Sequence, residues 1–159
     1  MLQLGPFGAL FAQGSWTNYT TDNTILVDNQ INDILIVDGI RWIGTNWGLY
    51  TYDNTSWTDC SDVLPHPLVN SISCDKDGNI YVCTLSGIAI FDGTSWETIT
   101  SQNSIITSHV NEVVFDDDNT AYVGTINGLF KINGGDISIL LDSSSLEPNF
   151  INVRCLGFK

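Results

Sequence analysis

One pattern, Gly-Thr-x-x-Gly, returns three times along the chain at a spacing of about forty residues. It reads Ile43-Gly44-Thr45-Asn46-Trp47-Gly48-Leu49-Tyr50, then Val82-Cys83-Thr84-Leu85-Ser86-Gly87-Ile88-Ala89, then Val123-Gly124-Thr125-Ile126-Asn127-Gly128-Leu129-Phe130, with Cys83 standing where the other copies carry glycine. Thr45, Thr84 and Thr125 are 39 and 41 residues apart. A period of this length belongs to architectures in which one small unit recurs and buries its apolar faces against its neighbours.

The residues between the anchors supply the rest of the unit. An aliphatic-Asn pair opens a β-branched run ahead of each anchor, at Ile31-Asn32, Val69-Asn70 and Val110-Asn111, with a further copy at Ile151-Asn152. The runs meet turns at Asp38-Gly39, Asp75 to Asn79 and Asp116 to Asn119, compositions that tolerate positive φ and close antiparallel hairpins. Beyond the anchors, Tyr52-Asp53-Asn54 and Phe91-Asp92-Gly93 lead to Ser56-Trp57-Thr58 and Ser95-Trp96-Glu97, and Ser15-Trp16-Thr17 repeats that last piece near the chain start. Each period thus holds four short strand-like runs, and no long segment has helical apolar spacing. Four antiparallel strands per period with recurrent Gly and aromatic positions predict an all-β partial β-propeller. Three complete blades are expected at about 31–60, 69–100 and 110–141, flanked by an outer strand over Ser15–Thr20 and the start of a further blade over 150–156. By period-two alternation Trp42, Tyr81 and Tyr122 face one side of the second strand and Ile43, Val82 and Val123 the other. The glycines Gly48, Gly87 and Gly128 are expected where a side chain would crowd the neighbouring blade.

At these residues the chain resembles the two-component regulator propeller repeat family of bacteria. Trp42-Ile43-Gly44-Thr45, Gly48-Leu49-Tyr50 and Asp53 through Trp57 carry the resemblance in the first copy. The second keeps Asp75 to Val82 and Asp92 to Trp96 but departs at Cys83 and Ala89, and the third has Ile137 in place of the last Trp. The resemblance implies an extracytoplasmic, periplasmic or secreted sensor region that detects glycan fragments, usually within a seven-bladed ring. Three blades are too few to close such a ring, so the strand count predicts a piece of a longer propeller, with self-association of arcs through open edges as the alternative.

Charge and composition exclude other roles. Eighteen Asp and Glu against five Lys and Arg leave a net charge of −13, which repels phosphate backbones and anionic lipid surfaces, so neither nucleic acid nor membrane insertion is expected. No apolar run has the length of a spanning helix. Residues 1–13 are apolar and end in Ala9-Leu10-Phe11-Ala12-Gln13, which reads as the remnant of an export signal or as a segment packed on the domain. Cys60, Cys74, Cys83 and Cys155 match no redox or zinc spacing and are expected as buried free thiols. The acidic run at Asp75 has Ile80 where a calcium loop needs glycine, and Asp116 to Asp118 fails likewise, so no metal or other cofactor is expected. Nucleophile elbow, P-loop and zincin motifs are absent from the sequence, and the reading is a non-enzyme.

Binding has a geometric rationale, because the links between blades and the loops joining second to third strands emerge on one propeller face. Candidate ligand-binding residues are therefore Asn46, Trp47, Ser86 and Asn127 on the loops and His66 and His109 on the links. Trp47 beside Asn46 is either a sugar platform, ring face plus amide, or a cover for the seam between blades. The recurring asparagines are expected to satisfy backbone groups where each blade begins. A recognition module for a glycan or other small ligand leads this reading. A scaffold that binds a protein partner is the alternative, and a propeller lyase or hydrolase the third.

Overall fold

The computed structural model describes residues 16–102, 104, 109–142 and 152–154. Three four-stranded antiparallel sheets, each built from consecutive strands in simple meander order, make up the molecule. The first blade holds β1 (Ile31–Val37), β2 (Ile40–Thr45), β3 (Gly48–Tyr52) and β4 (Trp57–Asp59). The second holds β5 (Val69–Cys74), β6 (Ile80–Thr84), β7 (Gly87–Phe91) and β8 (Trp96–Ile99). The third holds β9 (Val110–Phe115), β10 (Ala121–Thr125), β11 (Gly128–Asn133) and β12 (Asp136–Asp142). The first strands β1, β5 and β9 lie side by side, so the sheets fan out from a shared inner edge.

The repeated motif has a local reason in each blade. The buried hydroxyls of Thr45, Thr84 and Thr125 donate to the carbonyls of Gly48, Gly87 and Gly128 at 3.1, 2.9 and 3.0 Å. The same oxygens accept the backbone N–H of Trp47, Ser86 and Asn127 at 3.0, 3.2 and 3.1 Å. One threonine thereby closes the two-residue loop between second and third strands and leaves no buried hydroxyl unpaired. The glycine that follows has φ of +136°, +134° and +149° in the three copies, a backbone that side chains avoid. Sequence reasoning expected the neighbouring blade to crowd it. Instead the obstruction comes from its own blade: a Cβ on Gly87 would lie 2.1 Å from the Ile99 carbonyl oxygen in β8, and one on Gly48 2.2 Å from Ser61 Oγ just after β4.

Packing between blades follows the alternation along the strands. Trp42, 7% exposed, sets its ring 5.8 Å from Phe91 and 6.1 Å from Trp96 of the second blade. Tyr81 meets Phe115 of the third blade edge-on at 4.9 Å. Gly44 lies so close to Val69 that an added Cβ would come within 2.5 Å of its Cγ1. At the next seam Cys83 takes that place, fully buried among Val110, Val113 and Val123. Burial pushes its thiol far above the usual range, with Glu112 and Asp33 adding to the effect. Cys60 and Cys74 are half-buried free thiols rather than fully buried ones, and Cys155 lies outside the described residues.

The recurring asparagines carry a second kind of tie. In each blade the register of the first two strands slips at Asn32, Asn70 or Asn111, a β-bulge that leaves the asparagine out of the ladder. Freed from it, Asn32 Nδ2 donates to the Val69 carbonyl at 2.9 Å, Asn70 to Val110 at 2.7 Å and Asn111 to Val153 at 2.7 Å. Each amide thus spans the seam to the blade that follows. Val153, not Ile151, also stands against Gly124 as Val69 does against Gly44, so the repeat alignment near the C-terminus is shifted by two residues in space. Ile151 itself lies outside the described residues.

The other flank also departs from expectation. Residues 16–20 form no strand, since among the described residues no strand lies beside them to share a ladder. Tyr19 instead packs on the face of the first blade, 5.4 Å from Tyr52 and 5.5 Å from Trp57. Leu26 is buried close by, and Tyr50 Oη accepts the Val27 N–H. The tight Asp turns behave as hairpin turns: backbone N–H groups of Ser56 and Thr55 hold the Asp53 carboxyl below its usual range, and those of Ser95 and Thr94 do the same for Asp92.

Candidate functional site

The links and the second-to-third-strand loops meet on one rim. Gly48 N–H donates to the carbonyl of Pro67 in the first link at 2.9 Å, and Ile126 N–H donates to that of His109 in the second at 3.2 Å. On this rim the loop positions repeat in exposure: Asn46, Leu85 and Ile126 are half-buried, while Trp47, Ser86 and Asn127 are exposed. Trp47 is 62% exposed, which leaves most of the indole to solvent instead of sealing a seam. Its backbone is held at both ends, the N–H by Thr45 and the carbonyl by the Tyr50 hydroxyl at 3.2 Å. Asn46 Oδ1 accepts from Asn32 Nδ2 at 3.0 Å, so that oxygen already has a partner. His66 is half-buried, and its Nδ1 accepts the Leu68 N–H at 3.0 Å within the link.

A cavity of about 430 Å³ opens where the second and third blades begin, lined by Asn70, His109, Asn111, Ile126, Asn152 and Arg154. Of the six residues singled out from sequence, His109 alone lines it, with Asn127 adjoining through Ile126; Asn46 and Trp47 belong to the first blade's loop and Ser86 to the second's. The asparagines were read from sequence as structural, and they are, since Asn70 and Asn111 bond across the seams. Yet the same amides form part of a polar wall. Arg154 was not anticipated, because it stands outside the repeated motifs and only the fold carries it to the rim.

A second concavity of about 500 Å³ lies on the outer part of the seam between the second and third blades, lined by residues including Tyr81, Ile90, Glu97, Ile132 and Ile137. Its origin is readable in the repeat. Ile137 pairs with Ile132 in the register where Trp96 pairs with Phe91, so an aliphatic side chain fills the place of an indole and leaves space.

No family model matches the chain, and no curated protein matches it. Solved structures do. The extracellular domain of a protein described as a hybrid two component system, BT3049 from B. thetaiotaomicron, superposes with a TM-score of 0.72 over 82% of this chain at 18% identity. That of BT4673, described as a one component system from the same organism, gives 0.63 over 71% at 25% identity. The computationally designed protein Ika8 gives 0.59 over 81% at 15% identity. These are propeller blades. The neighbours among sensor proteins agree with the resemblance carried by the repeat, and the chain spans about a fifth of the length of the two extracellular domains, 19% and 17%. Among the described residues no helix is long and apolar enough to cross a membrane.

Proposed function

We propose that this chain is a non-catalytic recognition module of an extracytoplasmic bacterial sensor, and that its ligand is a glycan fragment held on the rim of links and loops. The observation that carries the reading is the rim itself: a solvent-facing indole at Trp47 on a loop fixed at both ends, beside a cavity walled by amides and an imidazole. Flat apolar ring faces suit the C–H face of a sugar, and amides suit its hydroxyls. The likeness to extracellular sensor domains supports a sensing role and an extracytoplasmic location.

The test is calorimetric titration of the chain with a panel of neutral and acidic oligosaccharides. Trp47→Ala is expected to weaken the binding of the panel member that binds best by about tenfold, the loss of one stacking contact. Unchanged affinity in the variant removes Trp47 from the site, and absence of binding across the panel overturns the reading.

One observation favours a scaffold that contacts another protein. Ile34 and Ile36 are 55% and 63% exposed on the open face of the first blade, whereas Ile72 and Val113, the counterparts of Ile34, are buried at 5% and 0%. Sedimentation velocity separates the two readings. A recognition module sediments as a single species at all concentrations, and a scaffold that uses this face to self-associate does not.

A further inference from the structure

The cavity where the second and third blades begin differs from the rest of the rim in one respect, its charge. The chain has only five Lys and Arg against eighteen Asp and Glu, so a cation without an acidic partner is unusual in it. Arg154 is such a cation. Among the described residues the ion pair found is Lys76 with Asp117, and Arg154 makes no ion pair or hydrogen bond. Beside it in the cavity wall, the imidazole of His109 likewise has no partner; only its backbone carbonyl is engaged, by Ile126. The remaining polar lining is amide, from Asn70, Asn111 and Asn152, and no Asp or Glu lines the cavity.

Two of those amides are fixed before any ligand arrives. Asn111 Nδ2 donates to both Asn152 Oδ1, at 2.9 Å, and the Val153 carbonyl, at 2.7 Å, while Asn70 is tied to Val110. Val153 N–H in turn donates to the Thr125 carbonyl at 2.9 Å, which anchors the backbone next to Arg154 on the end of β10. The guanidinium is therefore carried on a segment bonded to the second strand of the third blade and to its bulged asparagine. A neutral sugar does not call for a cation here, whereas a carboxylate does: the planar guanidinium matches it with two parallel N–H donors. The overall charge of −13 repels anions at long range, so an anion is retained only where a local donor set outweighs that field.

We propose that this cavity binds the carboxylate of an acidic sugar, with Arg154 as its principal partner, His109 beside it and the amide wall contacting the hydroxyls. The proposal rests on the glycan-recognition reading above and adds the class of glycan, a uronic acid fragment.

The experiment titrates the full chain by calorimetry with digalacturonic acid, with its methyl ester, which keeps the hydroxyls and removes the charges, and with sodium sulfate. The acid is expected to bind at least tenfold more tightly than the ester. Arg154→Gln is expected to abolish that preference, and Arg154→Lys to restore part of it. Arg154 is exposed, so both variants should melt with the parent, and a thermal scan checks that the loss is not one of folding. Equal affinity for acid and ester overturns the proposal while leaving glycan recognition standing. Binding of sulfate as tight as the acid also overturns it, since the site then reads charge without sugar. If neither the acid nor the neutral panel binds, the proposal and the recognition reading fall together. A preference for the acid that survives in Arg154→Gln assigns the carboxylate to another residue and overturns the role given to Arg154.

Discussion

Replacing Gly87 by alanine is expected to destabilise the chain by roughly 4 kcal/mol, a large share of what a domain this size has. Two causes act together. The φ of +134° is one that side chains adopt only under strain, and the new Cβ would stand 2.1 Å from the Ile99 carbonyl oxygen, a backbone atom that cannot swing aside. Relief requires β8 to move off β7, which breaks the outer ladder of the second blade. Gly93→Ala is the control: its φ of +92° is also positive, but nothing lies within 4 Å of the added carbon. That variant is expected to lose only about 1–2 kcal/mol. Urea denaturation of both checks the claim, and equal losses would show that conformation alone, without the clash, sets the cost.

Trp42→Ala is expected to cost about 3–5 kcal/mol, the range for removing a large buried aromatic side chain. The indole belongs to β2 of the first blade but packs on Phe91 and Trp96 of the second, so the cavity it leaves opens the seam itself. Trp16 provides the comparison, being 100% exposed, and its replacement by alanine should change stability by no more than about 0.5 kcal/mol. Denaturation midpoints of the two variants decide it. A loss below about 1 kcal/mol for Trp42→Ala would mean that the seam is held by something other than this contact.

Most of the fold was legible because the determinants are local and repeat. Thr45, Thr84 and Thr125 close the same loop by the same two hydrogen bonds, and a motif that does its work within four residues shows in a sequence as plainly as in space. Even the substitution of Ile137 for a tryptophan could be placed in register before its consequence, the outer concavity, was visible. What stayed hidden depended on partners distant in the chain. Ser15–Thr20 has the composition of an outer strand, but residues 16–20 gain no ladder because no strand stands beside them. The two-residue offset at Val153 follows from packing on Gly124, which no alignment of aliphatic-Asn pairs reveals. The same holds for the rim. Loop and link positions could be listed from topology, whereas the exposure of Trp47, the engagement of Asn46 by Asn32 and the arrival of Arg154 beside His109 arise from contacts between residues fourteen to forty-five positions apart.

The bulged asparagines give the arc a direction. Each lends its amide to the blade after it and to none before, so the three sheets are stitched like overlapping shingles, every one pinned by its predecessor. Of the three, only the middle sheet is both pinned and pinning at a seam with a complete neighbour on either side. Fraying therefore begins at the margins and works inward, and the second blade is the last to let go.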